Sequence, residues 1–238
     1  MRHNYIKPNW PAPKHVVAYT TTRLCGNLAN HVGDDADSVR QNREKLMQDL
    51  NLPAMPSWLN QVHSPTAISL DTPTATIPTA DAAYTHVRKR ICTVLTADCL
   101  PLLVTNRDGT VVAAIHAGWR GLLAGVIDNT IAALNAPPDT LLIWLGPAIG
   151  PRVFEVGDEV RQAYIGRDAR YQAAFTPHRD RWLANLYQLA TITLDHLGVN
   201  VSQVYGGDFC TYQQPDLFYS YRRDQGRTGR MATLIYMM

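Results

Sequence analysis

The chain has 238 residues, 46% of them hydrophobic and 18% charged, with a formal net charge of +2. A chain of this length buries a sizeable core without disulfides or structural metal. Its Lys and Arg are scattered, which argues against nucleic acid or a membrane surface as partner. No run approaches the ~18 consecutive apolar residues of a membrane-spanning helix. The opening MRHNYIKPNWPAPKH has no apolar signal-peptide core, so a cytoplasmic location is expected. Cys25, Cys92, Cys99 and Cys210 are far apart with no CxxC pair, which favours reduced thiols over a disulfide framework.

In chain order, residues 16–22 (VVAYTTT) predict a strand. Residues 35–50 predict a helix capped by Asp37 or Ser38, with Val39, Leu46, Met47 and Leu50 on its apolar face. Strands are expected at 57–63 and 66–70, then an exposed Pro/Thr-rich loop at 71–80. Residues 91–97 and 102–105 are stronger strands, followed by the turn NRDG (106–109) and a buried strand at 111–117. After Gly118 the period changes: Leu122, Val126, Ile127, Ile131 and Leu134 are spaced for a helix to about Asn135. Residues 141–150 read as a buried strand ending in a Gly/Pro loop, and 156–165 and 182–197 as helices. Final strands are expected at 204–208, 216–223 and 231–237. Strands and helices interleave throughout, which predicts a mixed α/β fold with residues 1–238 forming one domain. No GxGxxG joins a strand to a helix, so a dinucleotide-binding fold is not expected.

The chemistry concentrates in residues 91–121, ICTVLTADCLPLLVTNRDGTVVAAIHAGWRG. If Asp108-Gly109 closes a hairpin, opposed residues sum to 217, so His116 faces Pro101 and Cys99 faces Gly118. Cys99 and His116 then become diagonal neighbours on one face, and a one-residue slip would destroy this. A thiolate and an imidazole at that distance suit either a zinc ion or a Cys–His nucleophile and base. The bland alternative is a small buried thiol beside a structural histidine. The AGWRG that follows puts glycines at a strand-to-helix junction, where Arg120 and free N–H groups favour an anion. The alternative there is an arginine packed along Trp119. His63 lies in WLNQVHS beside the polar pair Asn60-Gln61 and is weak evidence alone.

Taken together these motifs resemble the YfiH family, also called the multicopper polyphenol oxidase or laccase-domain family. The resemblance rests on WLNQVHS (58–64), ADAAYT (80–85), TADCLPLL (96–103), AAIHAGWRGLLAGV (113–126) and WLGPAIGPRVFEVGDEV (144–160). LYQLA (186–190), GGDFCTY (206–212) and the stretches FYSYRRD and TGRMATLI within 218–235 complete it, in order from about residue 10 to the C-terminus. The resemblance implies a layered α/β/β/α sandwich of mixed sheets. It also implies a metal site of His63, Cys99 and His116, with Arg23 and His31 in its surroundings. A departure falls between those last two, where LCGNLAN (24–30) is shorter than the family's Gly-Gly loop.

The implied activity is zinc-dependent phosphorolysis of adenosine, inosine and methylthioadenosine, with adenosine deamination as a second activity. In that reading Cys99, His116 and Asp98 are catalytic candidates, and Arg120, Asn60, Gln61, Arg23 and His31 bind substrate or phosphate. Asp98 or His31 is the candidate proton carrier. The partners are then a small nucleoside and phosphate, with no nucleic acid, membrane or protein partner expected. The family also implies an alternative: a hydrolase that removes a misincorporated amino acid from a UDP-muramic acid peptidoglycan precursor. Copper oxidation is disfavoured, because a laccase needs a trinuclear cluster and this chain has eight histidines, none arranged as HxH. A non-catalytic metal-binding protein requires a fourth ligand, for which Asp98 and Cys210 are candidates.

Overall fold

The computed structural model describes residues 4–238. Its first strands are β1 (Tyr5–Ile6), β2 (Val16–Thr21), β3 (Ala67–Ser69), β4 (Ala82–Thr85), β5 (Cys92–Thr96), β6 (Leu100–Asn106) and β7 (Val112–Ala117). They are followed by β8 (Leu141–Leu145), β9 (Glu155–Val156), β10 (Phe175–His178), β11 (Arg181–Ala184), β12 (Val204–Gly206) and β13 (Met231–Met237). The α-helices are α1 (Ala36–Asp49), α2 (Trp119–Ala124), α3 (Val126–Ala133), α4 (Asp158–Arg167) and α5 (Leu186–His196).

Period-two alternation in these strands decides the layering. One sheet has the order β1-β2-β13-β5 and the larger one β12-β8-β6-β7-β4-β3. In the larger sheet the parallel pairs β12–β8 and β3–β4 flank an antiparallel centre. Cys92, Val94, Ile235 and Met237 from the first sheet pack against Leu103, Val112, Ala114 and Trp144 from the second. The alternate residues Leu95, Leu234 and Tyr236 face outward onto Leu46 of α1. On the far side Leu102, Val104, Ala113 and Ile115 meet Leu122, Ile127 and Ile131, with Leu189 and Leu194 of α5. The result is the expected helix/sheet/sheet/helix sandwich. Strands β6 and β7 are buried on both faces, which is why they read as unbroken apolar runs.

Several elements differ from the sequence expectation. Asp35, not Asp37 or Ser38, caps α1, its carboxylate accepting from Ser38 N at 2.8 Å. The helix expected from Gly118 to Asn135 is two, because Gly125 adopts φ 97 and closes α2 before α3 begins. Residues 182–184 belong to β11, and α5 begins only after Asn185, which caps it. Residues 57–63 form no strand: their backbone makes the isolated bridges Ser57–Cys92 and Asn60–Thr79, and the Gln61 side chain bonds to Leu95 of β5. Residues 216–223 form turns rather than a strand, since Arg223 draws the carbonyls of Thr211, Tyr212 and Phe218 around its guanidinium. Strand β4 was not anticipated, its small Ala82 and Ala83 carrying little strand signal.

The β6–β7 hairpin keeps the expected register, with Leu100 opposite Ala117 and Pro101 opposite His116. Its loop is longer than two residues but symmetric about the same centre, closed by Gly109 N donating to Asn106 O at 2.9 Å. At the other end of that hairpin, residues 97–99 cross from β5 in one sheet to β6 in the other. That crossing brings the ends of both sheets to one place.

Candidate metal centre

Cys99 immediately precedes β6 and His116 is the penultimate residue of β7, so the hairpin makes them diagonal neighbours. His63 arrives from the unpaired segment and holds φ 61, a left-handed conformation that costs a non-glycine residue about 1–3 kcal/mol. What holds it there is Asp81, a fully buried carboxylate next to β4. Asp81 accepts from the backbone N–H groups of Val62 (3.2 Å), His63 (2.9 Å) and Ser64 (2.6 Å), and from Ser64 Oγ (2.8 Å). The same carboxylate accepts from His116 Nδ1 at 2.8 Å. A carboxylate only accepts, so the Nδ1 proton is fixed and Nε2 is left free to bind a metal.

The donor atoms of His63, Cys99 and His116 lie within 4.8 Å of one another. Cys99 Sγ is 3.6 Å from His63 Nε2. Tetrahedral zinc with bonds of about 2.0–2.3 Å separates its ligands by roughly 3.3–3.8 Å; the Cys99–His63 pair already stands at that spacing, and the set of three could hold a metal ion after a small closure. Gly118 completes the fit: a Cβ there would stand 2.8 Å from Cys99 Sγ and 2.9 Å from His63 Cδ2. Burial pushes the Cys99 thiol up, but His116 and His63 outweigh it and bring the thiol down to about 6. Burial pushes His116 down, yet Cys99 and Asp81 raise it to about 9. Burial likewise works against the Asp81 charge, and the bonds from His116 and Ser64 overcome it, lowering it to about 2. Without a metal the cluster gathers a thiolate, a carboxylate and an imidazolium that stabilise one another, and a metal would replace the Nε2 proton of His116.

The three residues line a cavity of about 380 Å³, within the size range of small-ligand sites. Leu95, Ile149, Phe154 and Leu186 form an apolar side, and Arg120, Arg222 and Arg230 supply positive charge. Arg120 also stacks on Trp119, 4.3 Å from its ring centroid, so the packed reading of that arginine holds while it lines the cavity. Because α2 has only six residues, its N-terminal dipole adds little to Arg120.

The other predicted residues fall in different places. His31 and Gln61 line the cavity. Gln61 is committed to Leu95, donating to its carbonyl at 2.8 Å and accepting from its N–H at 2.7 Å, which fastens the His63 segment to β5. Asn60 lies outside the lining and donates to Thr79 Oγ1. Arg23 also lies outside, donating to the Pro215 carbonyl and stacking on Tyr219. Asp98 lines the cavity at φ 86, but its carboxylate accepts from Thr211 Oγ1 (2.6 Å), Ser220 Oγ (3.0 Å) and Arg222 N (2.6 Å). Asp98 thus ties the C-terminal loops into one cleft wall. Cys210 Sγ accepts from Gly150 N at 3.2 Å, and neither Asp98 nor Cys210 joins the three-residue cluster.

Sequence reasoning passed over Asp81 and Arg230. Asp81 had a signal: an ionisable residue between alanines in an apolar segment must find partners when buried. Arg230 had none, because only the pairing of β13 with β5 brings it to the cavity.

The fold and this cluster define a layered α/β protein with a three-donor site of the metal-binding kind. The chain belongs to the multi-copper polyphenol oxidoreductase laccase family, whose sequence model matches residues 20–238. It is 48% identical over 242 residues to the purine nucleoside phosphorylase YfiH of Escherichia coli K12, covering 98% of each chain. It is 46% identical over 244 residues to the purine nucleoside phosphorylase PA4543 of Pseudomonas aeruginosa, again covering 98% of each. Among solved structures, the Neisseria meningitidis protein NMB0706 matches with a TM-score of 0.93 at 44% identity, over 99% of both chains. The expected family therefore holds. Among the described residues no helix is long and apolar enough to cross a membrane.

Proposed function

We propose that this chain is a zinc-dependent purine nucleoside phosphorylase acting on adenosine, inosine and methylthioadenosine, with adenosine deamination as a secondary activity. The observation that carries this reading is the open three-donor cluster facing a cleft with an apolar side and arginines that have no carboxylate partner among the described residues. Near relatives named as purine nucleoside phosphorylases support the substrate class. His63, Cys99 and His116 would hold zinc, which supplies Lewis-acid polarisation of an oxygen and leaves a coordination position for water or substrate. The donor count supports nucleoside chemistry over copper oxidation, since the cluster offers a mononuclear site and a laccase needs several coppers.

The residues then divide the work. Phe154, Ile149 and Leu186 offer the purine an apolar surface that excludes water. Arg120, which has no carboxylate partner among the described residues, binds phosphate. A phosphate oxygen attacks ribose C1′ as the C1′–N9 bond breaks. The purine takes up the proton that phosphate brings, and the products are free base and ribose 1-phosphate. Asp81 holds His116 and His63 in place throughout, and Asp98 holds the opposite wall. In the secondary reaction a water oxygen replaces the exocyclic amine at purine C6 and ammonia leaves.

The test is to purify the protein without added metal and measure zinc and copper per chain. Adenosine and phosphate are then supplied, and ribose 1-phosphate, adenine and inosine are followed for wild type and Cys99→Ala. Stoichiometric zinc, lost in the variant together with turnover, is the expected result. Full zinc without nucleoside turnover would overturn the substrate assignment and favour the muramic-acid hydrolase. Turnover without metal would overturn the role of the cluster.

A further inference from the structure

The cleft is lined by residues from both sheets, and the metal cluster supplies only part of its wall. The cluster stands over the larger sheet, at the open end of β6 and β7. Another part comes from the four-stranded sheet, where β13 begins opposite the end of β5 and Met231 pairs with Thr96. Arg230 precedes that pair, and its backbone is fastened to the loop after Cys25: Arg230 N donates to Asn27 Oδ1 and its carbonyl accepts from Leu28 N. His31 follows on the same loop. Arg230, His31 and Thr96 all line the cavity.

Each of the three has unused bonding capacity. Arg230 is partly buried and spends one nitrogen, Nη1, on the carbonyls of Thr228 (2.8 Å) and Gly229 (3.1 Å). It has no carboxylate partner among the described residues, and an unpaired, partly desolvated cation is costly. Thr96 is buried, and its Oγ1 has no hydrogen-bond partner among the described residues. The His31 ring nitrogens also have no partner among the described residues. Burial, Arg230 and Arg43 lower His31 below its ordinary value, so near neutral pH it is an uncharged ring with one N–H to donate. A fork of guanidinium N–H groups, a hydroxyl and an imidazole N–H together suit an acceptor-only, tetrahedral anion.

We propose that Arg230, His31 and Thr96 form a second anion subsite in this cleft, one that takes a phosphoryl group. The ligand class named here rests on the phosphorylase reading. Thr96 is three residues from Cys99, a chain span of at most about 11 Å, so one nucleoside-sized molecule reaches both. The phosphoryl group has two sources, inorganic phosphate as co-substrate or the 5′-phosphate of a nucleotide. In the second case the cleft accepts nucleoside monophosphates, and C1′–N9 cleavage by phosphate yields free base and ribose 1,5-bisphosphate.

Calorimetric titration of the metal-loaded protein with inorganic phosphate and with adenosine 5′-monophosphate tests this. The proteins compared are wild type, Arg230→Met, Arg230→Lys, Thr96→Val and Arg120→Met. Losing a charge-assisted bond is expected to weaken the responsible probe about tenfold or more in Arg230→Met, with partial recovery in Arg230→Lys. Thr96→Val keeps the shape of the side chain and is expected to weaken the same probe several-fold with an unchanged melting temperature. Loss confined to the nucleotide identifies the ester as the source. Loss of inorganic phosphate, matched by a raised KM for phosphate, identifies the co-substrate. Unchanged binding of both probes in Arg230→Met and Thr96→Val would overturn the subsite, as would loss of both probes only in Arg120→Met. Binding is read without turnover, so an absence of phosphorolysis with probe binding lost in Arg230→Met would sink the phosphorylase reading and leave the subsite standing.

Discussion

Asp81 and Asp98 are two buried carboxylates at the same end of the sandwich, each gathering loops that are far apart in sequence. Asp81 faces three backbone N–H groups, one hydroxyl and an imidazole N–H. Asp98 faces one backbone N–H and two hydroxyls. Backbone N–H groups cannot turn, whereas a hydroxyl rotates to donate or accept. Asp81 therefore demands a carboxylate, and Asp98 tolerates more. The first fixes two histidines of the candidate metal cluster and the second fastens a wall of the cleft, so the tighter hold falls on the donor set.

The sharpest test of this contrast is Asp81→Asn. An amide replaces one acceptor oxygen with a donor that must face fixed N–H groups, and it removes the charge that His116 uses. Partners of this kind typically affect metal affinity 10–100-fold, so a zinc titration is expected to show a loss of about that size, with activity falling in parallel. Wild-type affinity in the variant would show that the triad is ordered without Asp81.

A smaller effect is expected for Asp98→Asn. Thr211 can turn its hydroxyl to accept from the new amide, so urea unfolding is expected to show a loss of about 1 kcal/mol. Zinc content should hold while KM rises, because the wall and not the metal is disturbed. Loss of zinc in this variant would erase the distinction between the two carboxylates.

The smallest effect appears only in acid. The native Asp81 carboxyl, lowered from 3.8 to about 2, contributes stability that is fully present above about pH 4 and is lost as pH falls through about 2. Urea midpoints of the metal-free protein should fall across that window in wild type and less steeply in Asp81→Asn. Parallel slopes would mean that Asp81 is not the group responsible.

Much of the candidate metal cluster is legible in the sequence. The NRDG turn and the apolar runs on either side set a register that places Cys99 diagonal to His116, and the structure keeps it although the loop is longer. His63 was weak by itself, because its left-handed backbone and its three-N–H tether to Asp81 are contacts between segments nearly twenty residues apart. The expected single helix after Gly118 failed for a local reason: apolar spacing continues across Gly125 although the backbone does not. Residues 216–223 alternate like a strand, but Arg223 and Asp98 offer their backbone better partners than any sheet edge does.

The sequence by itself determined which segments are apolar on one face or two, and hence the strands, the layering and the hairpin that pairs Cys99 with His116. Those follow from periodicity and turn chemistry, which act over a few residues. Tertiary structure alone decided that Asp81 serves both histidines, that Asp98 turns away to the C-terminal wall, and that Arg230 and Thr96 share a cleft with the triad. These depend on which strands of two stacked sheets end side by side, and that is set by packing between residues distant in sequence. A buried charge is stable only where such packing has brought it enough partners.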